Sequence, residues 1–132
     1  MKKYCTDYGY FSETGDEYII TNYKTPKPWV NVISNGNYGL VISQTGGGFS
    51  WDTHSEFNRI NRWHQDLVMD NWGKYFYIKN NITGEFFSPI FAPVMKVPDF
   101  YEARYGMGYA IFSTIYKKSQ RICRRVYLLC QN

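Results

Sequence analysis

The sequence predicts an all-β fold, an antiparallel β-sandwich, and three observations lead there. Aromatic residues make up 20% of the 132-residue chain, and flat side chains of that kind suit a pleated, half-buried surface. Short runs rich in Val, Ile, Tyr and Phe alternate with clusters of Gly, Asn, Ser and Pro, the rhythm of strands and turns in sandwiches and barrels. No heptad, internal repeat or amphipathic stretch of helical length interrupts that pattern.

The elements follow in order. Residues 8–11 and 17–21 are strand-like, and Ser12-Glu13-Thr14-Gly15-Asp16 between them is a hairpin loop. Thr25-Pro26-Lys27-Pro28 then breaks the pattern, because proline donates nothing to a ladder and restricts the residue before it. Residues 29–34 and 38–43 form the next pair, joined by Asn35-Gly36-Asn37, which tolerates the positive φ of a tight turn. Gly46-Gly47-Gly48 predicts a sharp loop. Glycines lose much entropy on ordering, so such a run is kept where the chain turns or another group comes close. Residues 52–72 are polar and irregular, a long loop or short helical turn that carries Trp63 and Trp72. Residues 75–79 and 85–88 make another hairpin around Asn80-Asn81-Ile82-Thr83-Gly84. Pro89, Pro93 and Pro98 mark a connector, and residues 100–105 and 109–116 are strands around Gly106-Met107-Gly108.

One domain is expected, with residues 1–116 as its body and 117–132 as a basic tail. The net charge of +4 is unevenly placed. Lys117, Lys118, Arg121, Arg124 and Arg125 fall in the last sixteen residues, which hold no acid, while the first 116 residues carry ten Lys/Arg against eleven Asp/Glu. Nucleic-acid-binding domains gather charge on a folded face, so the body predicts no nucleic-acid partner. Cys5, Cys123 and Cys130 are odd in number and widely spaced, which fits a reducing compartment better than a disulfide framework. No apolar run reaches the length of a membrane helix. The start, Met1-Lys2-Lys3-Tyr4-Cys5, lacks the apolar core of a secretory signal. A cytoplasmic location without a membrane partner is expected.

Several chemistries are excluded by pattern. The glycine run is followed by Phe49-Ser50-Trp51-Asp52, without the Lys of a phosphate-binding loop. His54 and His64 match no zinc spacing, so no metal is expected. There is no Gly-x-Ser-x-Gly nucleophile elbow. Asp52, Asp66 and Asp70 stand near tryptophans. Paired carboxylates serve glycosidases, but loop aspartates serve turns as well. Cys123 sits among arginines that would lower a thiol pKa, although the tail is expected to be unstructured. The residues alone lead to an aromatic-rich β domain with one glycine-rich, Trp-containing segment as its best ligand contact, and sugar as the first ligand to consider.

A set of ordered motifs takes this further. Tyr8-Gly9-Tyr10-Phe11 is followed by Glu17-Tyr18-Ile19-Ile20-Thr21 and Thr25-Pro26-Lys27-Pro28-Trp29-Val30-Asn31. Then come Leu40-Val41-Ile42-Ser43-Gln44-Thr45-Gly46-Gly47-Gly48-Phe49-Ser50 and Asn58-Arg59-Ile60-Asn61-Arg62-Trp63. Gly73-Lys74-Tyr75-Phe76-Tyr77-Ile78, Thr83-Gly84-Glu85-Phe86-Phe87-Ser88-Pro89 and Tyr101-Glu102-Ala103-Arg104-Tyr105-Gly106-Met107-Gly108-Tyr109 complete the set. In order and spacing, residues 8 to about 116 resemble the start of the cellobiose and chitobiose phosphorylase family, glycoside hydrolase family 94, formerly glycosyltransferase family 36.

The resemblance implies part of a galactose-mutarotase-like β-supersandwich, from an intracellular, homodimeric, inverting phosphorylase. Such enzymes split a β-glucosidic bond with inorganic phosphate and release an α-sugar 1-phosphate. An aspartic acid protonates the leaving oxygen while phosphate attacks the opposite face, as water does in an inverting glycosidase. Phosphate is a co-substrate, and no metal or other cofactor is implied. The acid and the main phosphate contacts belong to a later (α/α)6-barrel domain. No residue here takes a catalytic role, and the chain is expected to be inactive alone. The implied partners are a β-linked gluco-oligosaccharide, the missing barrel and a second subunit. The alternative is a free-standing carbohydrate-binding or subunit-interaction module.

Candidates for carbohydrate or interface contact are Trp51 and Trp63 as stacking platforms, Asp52 as acceptor of a sugar hydroxyl, and Arg59 and Arg62 as planar partners for an anion or the second subunit. Each has a structural alternative. Trp51 can plug the loop onto the sheet, Asp52 can make an Asx turn, and the arginines can satisfy loop carbonyls. Lys117-Lys118-Ser119-Gln120-Arg121-Ile122-Cys123-Arg124-Arg125 replaces an apolar alternating strand of the family, which suggests a frame change or truncation near residue 117. Half a supersandwich also predicts open sheet edges and self-association.

Overall fold

The computed structural model describes residues 4–61, 64, 68–70 and 73–116, and the backbone of Arg121–Leu128. Its strands are β1 (Gly9–Phe11), β2 (Glu17–Ile20), β3 (Val30–Ser34), β4 (Tyr38–Ser43), β5 (Gly48–Asp52), β6 (Ile78–Lys79), β7 (Phe86–Phe87), β8 (Phe100–Gly106), β9 (Tyr109–Tyr116) and β10 (Arg121–Leu128). They form a five-stranded sheet ordered β1-β2-β8-β9-β10, a three-stranded sheet ordered β3-β4-β5, and the two-stranded ribbon β6-β7. Every pairing is antiparallel.

The period of two that predicted strands also builds the core. Along β9, Ala110, Phe112, Thr114 and Tyr116 are buried while their neighbours are half-buried. Phe112 and Ala110 meet Tyr101 and Ala103 of β8, Ile20 of β2, Ile33 of β3, Ile42 of β4 and Ile90 of the connector. That cluster lies between the large and small sheets and makes them the two layers of a sandwich.

Polar ties fix how the layers sit. Tyr105 donates its hydroxyl proton to Trp29 O at 2.9 Å. Asn31 Nδ2 donates to Gly106 O at 3.1 Å and Tyr109 O at 2.9 Å. The buried Tyr101 hydroxyl donates to Gln44 O. A smaller cluster of Phe87, Tyr116 and Ile78 seats the β6-β7 ribbon beside the main core.

Strands β4 and β9 have the boundaries that alternation predicted, and β8 runs one residue further. Three expectations are corrected. Residues 75–79 were expected to be a strand, yet only Ile78–Lys79 pairs, because its partner ends at Phe87. The next residue, Ser88, turns its hydroxyl to Ala92 O at 3.0 Å, and Pro89 has no proton to donate. The segment after Gly46-Gly47 was expected to be loop, and Gly48–Asp52 is instead β5, paired along β4. The tail was expected to be unstructured, and Arg121–Leu128 instead pairs along β9, from Arg121 opposite Tyr116 to Leu128 opposite Tyr109. A sheet edge offers backbone donors and acceptors to any extended segment, whatever its side chains.

Candidate functional site

The glycine run forms the turn between β4 and β5. Ser43 N donates to Gly47 O at 2.8 Å and Gly46 N donates to Ser43 O at 3.0 Å. Gly47 N donates to Ser43 Oγ at 2.9 Å. Asp70 closes the turn from outside. Ser43 Oγ and Thr45 Oγ1 both donate to its Oδ2, the latter at 2.5 Å. A Cβ on Gly47 would lie 2.1 Å from Asp70 Oδ1, so glycine here admits a carboxylate of the same chain. Asp70, one of the loop aspartates near tryptophans, thus has a defined role in holding the turn.

Beside this turn is a cavity of about 250 Å³, walled in part by Tyr23, Gln44, Thr45, Asp70, Phe91 and Met95. Tyr23 stacks on Phe91 with ring centres 4.0 Å apart. Gln44 is buried and fully used: its Oε1 accepts from Trp29 N at 2.9 Å, and its Nε2 donates to Tyr23 O at 3.2 Å and Thr25 Oγ1 at 2.6 Å. Aromatic walls with a few placed polar groups are how small-molecule pockets are built.

Trp51, Asp52 and Arg59 come together at the other end of β5. Trp51 is half-buried, and its indole lies on Gly39, where a Cβ would stand 2.1 Å from Trp51 Cζ2. Arg59 pairs with Trp51 through an isolated β-bridge, places its guanidinium 5.0 Å from the centre of the Phe49 ring, and donates from Nε to Ser55 O at 2.8 Å. Asp52 is exposed, with Oδ2 3.5 Å from Asn58 Nδ2. Arg62, Trp63 and Trp72 lie outside the described residues. His54 Nδ1 accepts from Glu56 N at 3.2 Å, a local turn contact. Among the described residues no three His, Cys, Asp or Glu side chains cluster as metal ligands do.

Sequence reasoning missed a polar cluster on the inner side of β5. Asn61 Oδ1 accepts from Ser50 N at 2.8 Å and from Ser50 Oγ at 3.1 Å, and Asn61 Nδ2 donates to Gly48 O at 3.2 Å. Lys74 Nζ donates to Ser50 Oγ at 2.7 Å and to Tyr38 OH at 3.3 Å. Burial pushes the Tyr38 pKa up, but hydrogen bonds with Ser50 and Lys74, and the Lys74 charge, bring it below its ordinary value. The motifs held Ser50, Asn61 and Lys74, and the strand-like run 38–43 held Tyr38, but no local pattern links positions 38, 50, 61 and 74. Only the fold brings them together.

Residues 16–121 match the family described as glycosyl hydrolase 94, supersandwich domain. The chain belongs to glycosyl hydrolase family 94. Over 111 residues this supersandwich domain is 36% identical to N,N'-diacetylchitobiose phosphorylase from Vibrio furnissii, covering 83% of this chain and 14% of that protein. It is 38% identical over 101 residues to 3-O-β-D-glucopyranosyl-β-D-glucuronide phosphorylase from Paenibacillus borealis, covering 76% of this chain and 12% of that protein. A third relative, the cyclic β-(1,2)-glucan synthase NdvB of Rhizobium meliloti, is 32% identical over 108 residues, 80% of this chain and 4% of that protein. The chain therefore spans about a seventh, or less, of these relatives. The antiparallel sandwich and the family agree with the expectations drawn from the motifs. No helix among the described residues is long and apolar enough to cross a membrane.

Proposed function

We propose that this domain is the carbohydrate-associated N-terminal part of an inverting β-glucoside phosphorylase of the cytoplasm. The complete enzyme takes a β-linked disaccharide and inorganic phosphate to a sugar 1-phosphate, works as a homodimer and needs no metal. The observation that carries the reading is the family match over residues 16–121, joined to relatives named as disaccharide phosphorylases at 36% and 38% identity. The general acid and the phosphate contacts belong to a barrel domain outside these residues. Within the domain, Trp51, Asp52, Arg59, Arg62 and Trp63 remain the proposed carbohydrate or interface contacts.

A domain exchange tests this reading. Residues 16–121 replace the matching segment of the Vibrio furnissii relative, and release of sugar 1-phosphate from N,N'-diacetylchitobiose and phosphate is measured. A folded chimera that keeps phosphorolysis supports the proposal, and a folded chimera without it overturns the proposal. The isolated chain is expected to release none. A sugar-dependent change in its tryptophan emission, with an inactive chimera, would favour a free-standing binding module.

A further inference from the structure

Two hairpin turns hold an asparagine side chain in the same way. In the β3-β4 turn, Asn35 Oδ1 accepts from Asn37 N at 3.2 Å and from Tyr38 N at 2.9 Å. In the β6-β7 turn, Asn80 Oδ1 accepts from Ile82 N at 3.0 Å and from Thr83 N at 3.5 Å. The residue that follows differs. Asn81 follows Asn80, whereas Asn35 is followed by Gly36 in the one Asn-Gly pair of the sequence. Residues 34–37 are all exposed, and Gly36 has a φ of 98°. Gly36 N donates to Ser34 Oγ at 3.1 Å, and Ser34 Oγ donates to Tyr38 O at 3.1 Å.

These contacts surround the Asn35 carboxamide with the parts of an acyl-transfer site. When a nucleophile adds to Cγ, negative charge develops on Oδ1, and two backbone N–H groups already point at that oxygen. The nucleophile is the next amide nitrogen, that of Gly36, which is tethered to the same residue and closes a succinimide ring. Glycine brings no Cβ to obstruct that ring. The proton that this nitrogen must lose points at Ser34 Oγ, on an exposed residue where water can take it up.

We propose that Asn35 is a self-modification site, where the folded turn promotes deamidation. Gly36 N bonds to Asn35 Cγ and the Cγ–Nδ2 bond breaks. The proton of Gly36 N passes through water to the leaving Nδ2, which departs as ammonia. A water molecule then opens the succinimide at either of its carbonyls. The product is an aspartate, or an isoaspartate whose main chain runs through the former side chain. Either product adds a negative charge at the tip of the β3-β4 hairpin, and isoaspartate also lengthens the turn by one main-chain carbon. At the β6-β7 turn the carbonyl oxygen is held alike, but the attacking residue, Asn81, carries a side chain that crowds the ring, so Asn80 reacts far more slowly. The reaction uses only the turn and water, and it is independent of the proposed activity.

Ageing the full chain in mildly alkaline buffer tests it. Peptide mass spectrometry locates each amide-to-acid conversion, and methylation by protein isoaspartate methyltransferase counts the isoaspartate. Asn35 is expected to convert before every other asparagine, and several-fold faster in the folded chain than in the chain unfolded by guanidinium chloride. Ser34→Ala removes the acceptor of the Gly36 N–H and should slow the conversion several-fold, with the circular dichroism spectrum of the parent. Asn81→Gly should bring Asn80 to a rate near that of Asn35, which serves as the reference in the same molecule. An Asn35 that persists, or that converts no faster folded than unfolded, overturns the proposal. So does a folded Ser34→Ala variant that converts at the parent rate, or an Asn80 that Asn81→Gly leaves inert.

Discussion

Strands β3 and β5 are the two edges of one sheet, each of five residues, and they end differently. At β5 the chain returns along its own edge. Asp52 N donates to Asn58 O at 3.1 Å, Ile60 N donates to Ser50 O at 2.8 Å, and Asn61 satisfies Ser50 N and Gly48 O. At β3 no backbone hydrogen bond among the described residues returns, and the strand lines a cleft of about 950 Å³. The strand sequences do not encode this difference. An edge is protected by where the chain travels after leaving the strand, and the polar segment 58–61 happens to run back beside β5.

The largest expected effect tests whether the layers, rather than either edge, hold the sheet. Burial pushes the Tyr101 pKa far up, and burial together with the nearby Tyr101 and Asp70 charges does the same for Tyr105. A raised folded pKa keeps the phenol protonated while the unfolded chain ionises. The stabilisation is therefore whole below the ordinary tyrosine pKa and is lost as pH rises above it. Stability is expected to fall above about pH 10, by about 1.4 kcal/mol per pH unit for each tyrosine. Urea melts at increasing pH measure the slope. Tyr101→Phe should make it shallower, and an unchanged slope would remove Tyr101 from this account.

Opening the covered edge comes next. Asn61→Ala leaves Ser50 N and Gly48 O without their partner, and the expected loss is about 2 kcal/mol, read from the denaturant midpoint. The same variant should associate more readily than the parent, since β5 would then resemble β3. Full stability without added association would break the contrast between the edges.

Smaller effects follow. Lys74→Met should raise the Tyr38 pKa toward its ordinary value, as followed by ultraviolet titration. Because the folded value is depressed, the parent gains stability as pH climbs through it toward the unfolded value, and the variant should lack that gain. An unshifted titration would mean that Lys74 does not act on Tyr38. Val32→Lys is expected to change stability by less than about 0.5 kcal/mol, because Val32 is exposed. A larger loss would show that the open edge already contributes to the monomer.

Much of the fold was legible because its strands are amphipathic. Tyr109–Tyr116 alternates buried and half-buried residues without a break, so period and boundaries agree. Strand β5 was less legible, because Gly46-Gly47-Gly48 signals a turn and masks the strand that starts at Gly48. The residue beside Gly47, Asp70, is remote in sequence and gave only a generic aspartate signal. Of the candidate contacts, Trp51, Asp52 and Arg59 do meet, since the bridge between Trp51 and Arg59 folds the loop back on its own strand.

By itself the sequence determined the class, the order of most strands and, through its motifs, the family. Those properties reside in local periodicity and in ordered short matches. Only the tertiary structure decided that a carboxylate fills the space beside the glycine run, that Lys74 reaches both Ser50 and Tyr38, and that the described residues close one edge of the small sheet and not the other. The physical reason is common to all three. Each depends on groups distant in the chain whose meeting is fixed by backbone pairing and by burial between the layers, and neither leaves a local pattern to read.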